Sequence, residues 1–154
     1  MWQGGVRIII RDKDNRVLLL RQEHEERSFW LLPGGAIETG ETAGAAAIRE
    51  TAEETGLIIE PLDLRWFVEE VSEVRGQRFV LYFESRLLGG TLALGSDPEL
   101  SEDDQVLRQA RYFTLDEMIE LAGNGQLHPA WLAAELSRGD TRGKVYRIRD
   151  SGIQ

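Results

Sequence analysis

Residues 35–57 read GAIETGETAGAAAIRETAEETGL, and this stretch decides how the rest of the chain is understood. From Thr42 to Thr55 the chain is rich in alanine, contains no proline, and closes on Gly56 followed by Leu57. That pattern predicts a helix with a glycine just past its last turn and an apolar residue beyond it. On such a helix Glu50, Glu53 and Glu54 stand at i, i+3 and i+4, so their side chains leave one face. Three like charges on one face destabilise a bare helix, and a cation among them removes the conflict. Hard carboxylate oxygens select magnesium, manganese or calcium. Magnesium takes part of its shell from substrate phosphates, so the cluster points to phosphate chemistry as well as to metal.

The loop before the helix fits the same chemistry. Gly34, Gly35 and Gly40 surround Glu38 and Glu41, letting backbone approach the helix closely, and Gly34 or a neighbour can offer a carbonyl oxygen to the metal. Arg49 is the one base between residues 34 and 57, and a bidentate pair with Glu41 would fix the loop on the helix.

The chain has 154 residues, with 42% hydrophobic and 29% charged, which suits one globular domain spanning 1–154. Its formal charge of −9 is carried in two windows: residues 34–57 have a net of −4 and residues 97–104 a net of −5, so the remainder is neutral. An acidic balance argues against a nucleic-acid polymer as partner. The absence of cysteine excludes disulfides and thiolate metal sites. No apolar run is long enough to span a bilayer, and the opening MWQGGVRIII lacks the features of a signal peptide. A cytoplasmic location without membrane contact is the expectation, and a second copy of the chain is the candidate protein partner.

Val6 to Arg11 and Val17 to Arg21, separated by a polar turn, predict a hairpin. Phe29 to Leu32 predicts a short strand ending at Pro33. Leu62 to Val71 and Gln77 to Leu88 are strand-like, Thr91 to Leu94 adds a short strand, and another lies near Ala110 to Thr114. Leu115 to Leu121 and Ala130 to Leu136 predict short helices, and Lys144 to Arg149 an edge strand. The sum is an α/β domain with a mixed or largely antiparallel sheet flanked by helices. Trp30, Trp66, Tyr82 and Phe83 are expected in the core, and His24 and His128 at the surface.

Gly35, Glu41, Arg49, Glu50, Glu53, Glu54, Gly56 and Leu57 together resemble the box of the Nudix hydrolase family, G(x5)E(x7)REUxEExGU, where U is aliphatic. Thr51 departs from it, its β-branched shape being similar to valine but carrying a hydroxyl. The resemblance implies an α/β/α sandwich around a mixed β-sheet. It also implies Mg2+-dependent hydrolysis, with Mn2+ as the substitute, of a nucleoside diphosphate linked to another group. By the same resemblance Glu53 and Glu54 would be principal metal ligands, and Glu50 would share the metal or take the proton from the attacking water. Glu41 and the Gly34 carbonyl would complete the shell, while Arg49 would orient a carboxylate. Arg21 and Gly35 would meet the substrate, and Glu99 and Glu102, in the second acidic window beside it, would supply a further acid as metal ligand or general base. Signatures of other subgroups are missing outside the box, which leaves a MutT-like enzyme for free nucleotides. The alternatives are an ADP-ribose or nucleotide-sugar pyrophosphatase and a nucleotide sensor without turnover.

Overall fold

The computed structural model describes residues 4–72, 76–95, 107–139 and 144–150. Strands β1 (Gly4–Ile9), β2 (Val17–His24), β3 (Arg27–Leu31) and β4 (Gly34–Ala36) precede helix α1 (Ala43–Thr55). Strands β5 (Leu57–Ser72), β6 (Gly76–Gly90) and β7 (Leu107–Phe113) follow, then helices α2 (Leu115–Gly123) and α3 (Leu132–Ser137) and strand β8 (Lys144–Asp150). A five-stranded sheet runs β4-β1-β6-β5-β8, and a second, three-stranded sheet runs β3-β2-β7. The larger sheet is mixed, because β1 pairs parallel with β6 and β5 parallel with β8, while β4–β1 and β5–β6 are antiparallel. As its alternating pattern predicts, β8 lies at an edge.

Alternation along the strands explains the layers, since successive side chains point to opposite faces. Val6, Ile8 and Ile10 pack with Leu18, Leu57 and Ile59 against Ala46 and Ala47 of α1. Ile9, between them, joins Leu19, Trp66, Val68, Val80 and Tyr82 in a second core covered by Met118 and Leu132 of α2 and α3. Helices therefore cover both sides of the sheets, giving the α/β/α sandwich. Trp66 and Tyr82 are almost wholly buried and form an aromatic cluster with Trp131, so their role is packing. Trp30 meets Phe113 edge to face, and Phe83 is half-buried against the α1-side core. His24, exposed, stacks on Phe29.

Two expectations need correction. β1 and β2 do not form a hairpin: apart from an isolated bridge between Arg11 and Val17, each pairs within a different sheet. The turn between them is closed by Asp12, whose carboxylate accepts from the backbone of Asp14 and Arg16, and by Asn15 at a φ of 61°. The chain thus turns a corner from one sheet to the other. Residues 91–94 are not a strand either; this segment is tied to the end of α1, with the Ala93 N–H on the Thr55 carbonyl and the Gly95 N–H on the Glu54 carbonyl, each at 2.8 Å.

Candidate active site

Helix α1 is defined at both ends. Thr42 caps it by accepting from the Ala45 N–H at 3.1 Å, and Gly56, at a φ of 72°, ends it by donating to the Ala52 carbonyl. The inner face is held by alanines and by Thr51 and Thr55. Thr55 returns its hydroxyl to the Thr51 carbonyl at 2.6 Å. The Thr51 hydroxyl is fully buried without a hydrogen-bond partner among the described residues, the physical consequence of a threonine where the box has an aliphatic residue.

Close approach of β4 sets the acidic face against the sheet. A Cβ at Gly34 would fall 1.9 Å from the Val6 carbonyl oxygen, and one at Gly35 would fall 2.5 Å from the Glu50 carboxyl group. Glycine is needed at the first position for strand pairing and at the second to admit a carboxylate. The Gly34 N–H donates to Glu54 at 2.8 Å, which ties β4 to the helix.

Arg49 organises the acids. Its Nε and Nη2 donate to the two Glu41 oxygens at 2.9 and 3.1 Å, its Nη1 reaches Glu50 at 2.9 Å and Glu53 at 3.2 Å, and Nη2 also reaches the Ala36 carbonyl at 3.0 Å. The guanidinium's fixed fork suits this task, and the Glu41 hydrogen bonds above all raise its pKa further. Glu53 is the exposed member, with 59% of its side chain open to solvent. Burial raises the Glu50 carboxyl above the usual range, opposed by Arg49. Glu54 is more deeply placed, and burial pushes its carboxyl up to about 7 despite Arg7 and the Gly34 N–H, which favour the anion.

Among the described residues no three acids converge on one point, since Glu54 turns to Gly34 while Glu50 and Glu53 turn to Arg49. The donor set nonetheless fits a hard divalent cation. Three carboxylates share one helix face, and a cation would offset the burial that opposes ionisation of Glu50 and Glu54.

The other anticipated residues are Arg21, Glu99 and Glu102. Arg21 is on β2 in the smaller sheet, where its Nη2 makes a long contact of 3.5 Å to Ser28. Glu99 and Glu102 lie outside the described residues. Arg7 was missed by sequence reasoning. It stands on β1 opposite Gly34, donates to the Leu32 carbonyl at 3.1 Å and acts electrostatically on both Glu50 and Glu54.

Fold and box together define a class. The family model for the NUDIX domain matches residues 1–134, and the chain belongs to the Nudix family. Over 115 residues it is 32% identical to the ADP-ribose pyrophosphatase of Methanocaldococcus jannaschii, a match covering 73% of this chain and 63% of that protein. Over 129 residues it is 31% identical to the 8-oxo-dGDP phosphatase NUDT18 of Mus musculus, covering 83% of this chain and 37% of the relative. The chain therefore spans less than two thirds of the length of either. Its fold is similar to that of a solved Nudix hydrolase from Nitrosomonas europaea, with a TM-score of 0.70 at 22% identity over 92% of each chain. No helix among the described residues is long and apolar enough to cross a membrane.

Proposed function

We propose that this chain is a Mg2+-dependent hydrolase that cleaves the diphosphate linkage of a small nucleotide, with a nucleoside triphosphate or related nucleoside diphosphate derivative as substrate. The observation that supports the reading is that Glu50, Glu53 and Glu54 share one helix face, with Glu50 against Gly35 and Glu54 against Gly34, both drawn into low-dielectric surroundings. When bound, magnesium supplies charge neutralisation at the diphosphate and a nucleophilic water near neutral pH. Glu53 and Glu54 would hold the cation. Glu50, fixed by Arg49, would share it or accept a proton from water. Arg49 also anchors Glu41, which ties the loop before α1 to the helix.

The name of the Methanocaldococcus relative favours ADP-ribose as a second substrate reading. A panel of nucleoside triphosphates, nucleotide sugars, ADP-ribose and dinucleotides, assayed with and without Mg2+, separates the readings. Cleavage of at least one member, abolished by chelation, is expected. Binding without turnover across the whole panel would instead make the chain a nucleotide sensor.

A further inference from the structure

Two arginines wall a cleft beside the acidic helix face. In the five-stranded sheet, Arg7 pairs with Tyr82, Gly5 with Val80 and Glu70 with Arg78, so these side chains continue the face of the sheet that carries Val80 and Tyr82 toward a polar end. Arg7, Arg78, Gly5, Gly35 and Val80 line the cleft, whose volume is about 70 Å³. That is room enough for a phosphoryl group. Among the described residues its lining is backbone, small side chains and the two guanidinium groups, a surface suited to an anion.

Its charge is also specific. Arg78 donates from Nε to Glu70 at 2.5 Å, and Arg7 donates to the Leu32 carbonyl at 3.1 Å. A guanidinium carries five N–H donors, so both retain donors for a ligand. Among the described residues, two guanidinium groups against the Glu70 carboxylate leave this wall net positive. Glu50 and Glu54 are the carboxylates that act on Arg7 from the neighbouring helix. Gly35 is the partition between them, since it lines the cleft and also lies against the Glu50 carboxyl group. One residue without a side chain therefore separates a site suited to a cation from a site suited to an anion. A ligand that spans both is a chain of phosphates.

We infer that Arg7 and Arg78 seat a phosphate next to the anhydride that is cleaved, and so select nucleoside triphosphates over nucleotides whose diphosphate ends in a sugar. This inference rests on the hydrolase reading above. Arg7 also faces Glu50 and Glu54, whereas Arg78 acts on neither, so Arg78→Gln separates the phosphate seat from turnover.

The test compares the parent with Arg7→Gln, Arg78→Gln and Gly5→Ala. A Cβ at Gly5 would lie 3.4 Å from the Gly35 carbonyl oxygen and 3.7 Å from Val80, so alanine fits the backbone while narrowing the cleft. Binding of inorganic tripolyphosphate in the presence of Mg2+ is measured by calorimetry, and KM and kcat are measured for dGTP and for ADP-ribose. Loss of a charge-assisted hydrogen bond should raise the tripolyphosphate Kd and the dGTP KM by about tenfold or more in each arginine variant. In Arg78→Gln the dGTP kcat and the ADP-ribose KM should move less than about threefold, while Arg7→Gln is read by Kd and KM alone. Gly5→Ala should shift Kd in the same direction. Tripolyphosphate affinity and dGTP KM unchanged in both arginine variants, equal losses for dGTP and ADP-ribose, or no tripolyphosphate binding by the parent would overturn the inference while leaving the hydrolase reading intact. Conversely, a parent that cleaves no nucleotide but loses tripolyphosphate binding with either arginine retains the seat and removes the hydrolase reading.

Discussion

Replacing Glu54 by glutamine should make the metal-free protein more stable at alkaline pH. The Glu54 carboxyl, ordinarily near 4.5, is held up to about 7 mainly by burial. Between those two values the folded protein keeps a proton that the unfolded chain has released, so stability falls as pH rises through the interval and the loss is complete above about 7. At about 1.4 kcal/mol for each pH unit, an interval of about 2.5 corresponds to about 3 kcal/mol. Glutamine has no such titration, and its side-chain oxygen can still accept from the Gly34 N–H that Glu54 receives at 2.8 Å. In EDTA, urea unfolding of parent and Glu54→Gln at pH values from 5 to 8.5 should therefore show the variant gaining on the parent by up to about 3 kcal/mol toward the alkaline end. Adding Mg2+ at pH 8 should favour the parent, because only it has the full set of ligands. A stability gap that does not change with pH, or one that moves against the variant as pH rises, would refute the burial argument.

Further outcomes follow from single contacts. Thr51→Val should raise stability by about 1 kcal/mol with unchanged turnover, seen as a higher urea midpoint, because it removes a buried hydroxyl without a partner. Gly35→Ala should abolish activity while leaving most of the stability, since its Cβ meets the movable end of Glu50; Gly34→Ala should unfold the protein, since its Cβ meets the Val6 backbone. Arg49→Lys should lower kcat about tenfold or more and reduce thermal stability, because an ammonium cannot reproduce the fork joining Glu41, Glu50 and Ala36.

The helix and its acids were legible because their information is local. Spacing puts Glu50, Glu53 and Glu54 on one face, and Gly56 marks where the helix stops. The pairing of β1 was not legible, because Ile8, Ile9 and Ile10 are all buried and an apolar run covered on both faces carries no signal of its neighbours. The hairpin expectation failed for that reason. Arg7 escaped notice similarly, as a single arginine in an apolar strand whose meaning arises from the β1–β4 pairing and the helix laid against it. Residues 91–95 have strand-like composition, but their place is decided by the carbonyls of Glu54 and Thr55 at the end of α1. The core role of Trp66 and Tyr82 was legible, while the distribution of aromatics between the two cores depends on which strand face each occupies.

The central claim is that one face of α1 makes this chain a metal-dependent hydrolase. Its most direct test is the Mg2+ dependence of nucleotide cleavage by the parent and by Glu53→Gln, whose mostly solvent-exposed side chain makes the substitution harmless to the fold. Cleavage should rise with Mg2+ in the parent and fall by about a hundredfold or more in the variant, with matching unfolding curves. Equal rates in the two proteins, or parental cleavage unaffected by chelation, would contradict it.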